Sequence, residues 1–133
     1  MAETRPADAL EVQALGPRLF VTTFRGKITM EISLAALPSF ERIVEPMREP
    51  IWLSDAMELT SFEPIALTQG TRWYGLFRRA GGTHVLVASR WERSIMAART
   101  MGLGLGVRVR GFSSLDLAME AAQSLLEVHA MAP

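Results

Sequence analysis

His84-Val-Leu-Val-Ala-Ser-Arg-Trp-Glu92 joins two kinds of periodicity within nine residues. Val85 to Ala88 form an unbroken apolar run, the pattern of a strand covered on both faces rather than one half exposed to water. Ser89 follows at once with Glu92 three residues later, a spacing that can satisfy two orphan backbone donors at a helix start. The segment predicts a buried strand running directly into a helix that reaches about Met101. A strand covered on both faces belongs to a layered α/β sheet.

Reading outward keeps the alternation. Downstream, Gly102, Gly104 and Gly106 stop the helix. Val107 and Val109 then alternate with Arg108 and Arg110, as in an edge strand with one charged face. Phe112-Ser113-Ser114 caps a last helix to about His129, with Leu115, Ala118, Met119, Ala122, Leu125 and Leu126 on its apolar side. Upstream, Pro64 suits a first helical turn, and a helix to Arg79 aligns Trp73, Leu76, Phe77 and Ala80 before Gly81-Gly82. Ile51 to Leu53 begins a short buried strand, and Ser54 to Phe62 reads as a mixed polar and apolar passage. Leu34, Leu37, Phe40, Val44 and Met47 recur at helical spacing between Met30 and Met47, with Pro38 predicting a kink or a late start. Leu10 to Leu15 and Leu19 to Arg25 are β-type runs joined by the turn residues Gly16-Pro17-Arg18. The predicted order is ββαβαβαβα, a mixed, mostly parallel sheet with an N-terminal hairpin and about four helices.

Composition agrees with one domain. The 133 residues are 49% hydrophobic, and a chain of this size buries roughly 68% of its unfolded surface without staples. Residues 1–9 read as a flexible N-terminal segment, 10–129 as the domain and 130–133 as a C-terminal tail. The polar start lacks a secretory pattern, and no apolar run approaches the roughly 20 residues of a membrane helix, so the expectation is a cytoplasmic protein without a membrane span. The absence of cysteine excludes thiol chemistry and disulfides. His84 and His129 are too few and too far apart for a histidine metal cluster or a triad.

Fourteen basic and fourteen acidic residues cancel, but unevenly. Residues 1–64 hold ten acids and six bases, whereas residues 72–110 hold eight arginines (Arg72, Arg78, Arg79, Arg90, Arg93, Arg99, Arg108 and Arg110) against Glu92 alone. Such a block could form a positive face or lie scattered over solvated elements. Without interleaved aromatics in a recognisable motif it argues against nucleic acid as the partner.

The element order resembles the STAS domain, the fold of anti-sigma-factor antagonists and of sulfate-transporter cytoplasmic tails. Phe24-Arg-Gly26-Lys-Ile-Thr29 is similar to the family's glycine-containing segment after the second strand. Ile51-Trp-Leu-Ser-Asp55-Ala-Met-Glu-Leu59-Thr-Ser-Phe62-Glu63 is similar to its apolar strand, aspartate and following loop. Phe112-Ser-Ser-Leu-Asp-Leu-Ala118 resembles the opening of the last helix in small stand-alone bacterial relatives, some related in fold to lipid-binding CRAL-TRIO domains. The resemblance implies a bacterial signalling or regulatory module that acts by protein contact. It also implies a phosphorylatable hydroxyl after the loop acid, but Pro64 and Ile65 stand there. Ser61, Thr60 and Ser54 are nearby substitutes, and each is equally well explained as a turn or cap residue.

Other patterns carry no chemistry. Gly102-Leu-Gly104-Leu-Gly106 has the wrong spacing and position for a dinucleotide loop. Asp55, Glu58 and Glu63 have no partnering base or nucleophile, so no enzyme and no cofactor are expected. Met57, Met96 and Met101 suit either core filling or an adaptable apolar pocket. Trp52, Trp73 and Trp91 fall on apolar stripes, and any left exposed becomes an interface anchor. The expected contact surface is Asp55 to Ile65, including Met57, Glu58, Ser61 and Glu63, together with Arg72, Arg90 and Arg93. The expected partner is a protein, with a homodimer as one form of it. The alternative is a lipid or other small apolar ligand held between the second and third helices and the sheet.

Overall fold

The computed structural model describes residues 8–131, so most of the flexible segment expected at residues 1–9 and half of the tail expected at residues 130–133 lie outside the described residues, while Ala9 already belongs to the first strand and Met131 still to the last helix. Strand β1 (Ala9–Ala14) pairs antiparallel with β2 (Leu19–Ile28), and β3 (Ile51–Phe62), β4 (His84–Ser89) and β5 (Arg108–Phe112) follow in parallel. The sheet order is β1-β2-β3-β4-β5, so every strand lies beside its predecessor in the chain. Helices α1 (Met30–Val44), α2 (Thr68–Arg79) and α3 (Glu92–Leu103) cover one face, and α4 (Leu115–Met131) covers the other. The expected ββαβαβαβα order is what the chain adopts.

Alternation along each strand divides the core. Phe20, Trp52, Val85 and Val87 face α1, α2 and α3, where they meet Phe40, Trp73, Tyr74 and Phe77. Leu19, Ile51, Leu53, Leu86 and Ala88 face α4 and meet Ala118 and Ala122. Trp52 sits among the aromatic rings, 5.1 Å from the Phe40 centroid and 5.1 Å from that of Tyr74. Its Nε1–H donates to Thr22 Oγ1 at 2.8 Å, which satisfies an indole donor that burial would otherwise leave without a partner.

Four local expectations are corrected. Ser54 to Phe62 is not a mixed passage: β3 runs unbroken to Phe62. Its pairing with β2 steps from Thr23–Asp55 to Arg25–Glu58 and from Gly26–Leu59 to Lys27–Ser61, so β3 gains a residue on β2 twice. Each bulge advances the inward position by one, which places Ala56, Leu59 and Phe62 in one apolar cluster although they are three apart. Gly26, at φ 68°, takes the left-handed conformation at the second step.

The capping box does not form. Ser89 Oγ accepts the Trp91 N–H at 3.0 Å, and Trp91 is the N-cap residue of α3 without a side-chain cap. The helix expected from Pro64 opens instead as a 3-10 turn, Pro64–Leu67, before α2 begins at Thr68.

Finally, α1 neither starts late at Pro38 nor reaches Met47; it ends at Val44, just before Pro46. Thr29 Oγ1 accepts the Ile32 N–H at 3.1 Å and Glu63 Oε1 accepts the Met30 N–H at 2.8 Å, which fixes the first turn well ahead of the proline. Pro38 and Leu34, whose carbonyl the proline deprives of an amide partner, both lie on the exposed side. By contrast, the serine cap expected at α4 is present, with Ser114 Oγ accepting the Leu117 N–H at 3.2 Å. Among the described residues no helix is long and apolar enough to cross a membrane.

Candidate ligand cavity

Between the sheet and the helices of the α2–α3 side lies a cavity of about 140 Å³. Its floor is Trp52, Ser54 and Ala56 on β3 with Val85 and Val87 on β4, all on inward positions of the pleat. Its roof comes from α2, where Gln69, Gly70, Trp73 and Tyr74 lie on one stripe, and from Ser94, Ala97, Ala98 and Met101 on α3. Phe24, Leu59, Phe62, Ala66 and Leu67 close the end toward the 3-10 turn. The space exists because Ser54, Ala56, Gly70, Ser94, Ala97 and Ala98 are small where two helices and a sheet converge. A Cβ on Gly70 would run into Met101 Sδ and Cε, so the end of the Met101 side chain lies directly against the bare Gly70 backbone. Leu67 and Ala97 are exposed, which marks where the cavity reaches the surface.

The lining is apolar with a few polar atoms. Gln69 Oε1 and Trp73 Nε1 are buried without hydrogen-bond partners. The Ser33 and Ser54 hydroxyls belong to buried residues. Burial pushes the Tyr74 phenol well above the usual tyrosine range, so it stays a protonated donor at neutral pH. This arrangement can hold a small molecule by packing and orient it by a few hydrogen bonds. Among the described residues no cluster of three or more His, Asp or Glu could hold a metal ion.

The residues expected to form a contact surface separate. Asp55 Oδ1 accepts the Met57 N–H at 3.2 Å, and Met57 O accepts the Arg90 Nε–H at 3.2 Å, so these three meet midway along β3, just beyond the end of β4. The Met57 side chain packs toward α4. Glu58 pairs instead with Arg25 at 4.0 Å, which also reaches Glu11 at 3.4 Å. Ser61 and Thr60 are exposed near the end of β3, with Ser61 opposite Lys27. Glu63 is turned to the start of α1, and Arg72 and Arg93 stand exposed on different helices.

Nor do the arginines of residues 72–110 share one face. Arg110 lies over the Phe112 ring at 5.2 Å on the α4 side of the sheet, opposite Arg72 on α2 and Arg93 on α3. Of the three tryptophans, Trp52 and Trp73 are buried and Trp91 is 50% exposed. Gln69 and Tyr74 are not singled out by the sequence, and Ser54 is only as a substitute hydroxyl, not as a cavity residue. Their only signal is Gln69, Trp73 and Tyr74 at helical spacing opposite a strand with small residues at alternate positions.

No protein-family model matches the sequence, and no curated protein matches it either. The fold is similar to the crystal structure of an uncharacterised protein of the DUF3478 family, with a SpoIIAA-like fold, from Shewanella loihica PV-4. The two share 18% identity with a TM-score of 0.67, over 90% of this chain and 97% of that one. At that identity the likeness carries the fold alone. With its opening hairpin, its parallel β2-to-β5 run and its four helices, this chain is a domain of the SpoIIAA-like, STAS-type fold.

Proposed function

We propose that the chain is a non-catalytic binding domain that holds a small, largely apolar molecule between β3, α2 and α3. The carrying observation is the cavity of about 140 Å³ with Trp52, Trp73, Tyr74 and Phe24 in its wall. An apolar cavity of about 150 Å³ is enough to take up benzene, so the volume suits a single ring or a short branched chain rather than a long acyl chain. Native mass spectrometry of freshly purified protein, with thermal unfolding in toluene, tests the reading. Toluene should raise the Tm by several degrees, since occupancy at about 100 times Kd adds about 2.7 kcal/mol. Ala98→Leu, which fills the cavity, should abolish both the shift and any retained mass. An unchanged Tm in wild type would sink the reading.

A second reading, contact with a protein partner in bacterial signalling, has its own support in Trp91. This half-exposed indole stands at the start of α3 beside Arg90, with Met96 57% exposed on the same helix. Exposed tryptophan and arginine are the residues most often energetically dominant at interfaces. If copies of the chain pair through this surface, light scattering will give a dimer for wild type and a monomer for Trp91→Ala. A monomer in both cases counts against a homodimer.

A further inference from the structure

We infer that the cavity selects an uncharged molecule whose hydrogen-bond donor and acceptor sit side by side, as in a primary carboxamide or a lactam, on a small planar apolar body. The inference rests on the cavity being a ligand site, and it narrows the chemistry of what enters.

Two observations fix the polar edge. Gln69 Oε1 is an acceptor and Trp73 Nε1–H is a donor, and each is buried without a partner. They are four residues apart on α2, so their side chains leave the helix as neighbours on one stripe, and both residues line the cavity. Although complementary, they make no hydrogen bond to each other. A buried polar group without a partner is costly, and a ligand that offers N–H to one and C=O to the other removes both penalties at once. An amide with N–H and C=O on the same edge has that geometry, whereas a hydrocarbon, an ether or a ketone meets one group at most.

Charge is excluded by the rest of the wall. Among the described residues no Asp, Glu, Lys, Arg or His lines the cavity, and the Tyr74 phenol remains neutral. An ionised ligand would lose its hydration with no counter-charge in reach. The volume of about 140 Å³ and the flanking rings of Trp52 and Trp73 set the size and flatness of the body. Benzamide, a ring bearing one carboxamide, is therefore the simplest probe.

The test measures Kd by calorimetry for benzamide, acetophenone, toluene and benzoate, with wild type, Gln69→Met and Trp73→Phe. Near-wild-type thermal unfolding confirms that each variant is folded. Because hydrophobicity differs among the probes, the informative quantity is each variant's change relative to toluene. Losing one partner should weaken benzamide by about tenfold or more relative to toluene in the same variant. Acetophenone, an acceptor only, should respond to Trp73→Phe and not to Gln69→Met. Benzoate should not bind at neutral pH. Benzamide and toluene changing in parallel, or benzoate binding as tightly as benzamide, would overturn the inference while leaving the cavity a ligand site. If no probe, toluene included, binds wild type, the ligand-site reading falls with it.

Discussion

Thr22 and Tyr74 show how single residues hold this cavity's wall. Thr22 accepts the Trp52 indole N–H inside the aromatic cluster, so Thr22→Val keeps the shape but leaves that donor buried and unpaired. Denaturant unfolding should show a loss of about 1–3 kcal/mol. Glu63 acts over a sequence distance, since its carboxylate accepts the first amide of α1. Glu63→Ala should cost about 1 kcal/mol by the same measurement, as for other helix caps. Tyr74 is the single tyrosine of the chain, and burial raises its pKa above the ordinary 10.0. The folded state thus holds the phenolic proton more tightly than the unfolded chain does. The stability this confers is complete below pH 10 and is lost as pH rises above it, at about 1.4 kcal/mol per pH unit while only the unfolded chain ionises. A pH titration followed by near-ultraviolet absorbance should show tyrosinate appearing together with unfolding. Tyrosinate forming near pH 10 in the still-folded protein would refute this.

At the level of elements, β3 explains what could and could not be read beforehand. The run Val85 to Ala88 and the hairpin around Gly16-Pro17-Arg18 were legible because each follows one unbroken rule. Ser54 to Phe62 was not, because two bulges turn a period of two into inward positions three apart, a pattern that matches neither strand nor helix. Ser89 misled for a different reason: its hydroxyl is taken by the nearby Trp91 N–H, so the residue type was right and the hydrogen bond went elsewhere. Gly26 carries the mechanical load of the second bulge at φ 68°. Gly26→Ala should lower stability by roughly 1–2 kcal/mol, the cost of a side chain in left-handed backbone, measured as a fall in denaturation midpoint.

The whole molecule makes the cavity a compromise between packing and use. The layer order was legible from the alternation of strands and helices, but the cavity was not, because it depends on which small residues of three separated segments end up facing one another. Ser54, Gly70 and Ala98 lie far apart in the chain and enclose one space, from its floor and its roof, only after folding. Nor could the net charge of zero reveal that the arginines divide between opposite sides of the sheet. Because the space is apolar, Ala98→Leu should raise stability by about 1 kcal/mol in thermal unfolding even as it blocks binding. A destabilised Ala98→Leu would mean that the wall cannot yield to the added methyl groups.

Strands stacked in chain order also dictate how the molecule emerges during synthesis. Each new strand can join the growing edge as soon as it leaves the ribosome, and α1, α2 and α3 cover one side of the sheet as they appear. The other side waits: Leu53, Leu86 and Ala88 have no cover until α4, the last element, is made. A nascent chain halted before Leu115 would present a bare apolar sheet, the kind of surface that chaperones capture and that otherwise aggregates.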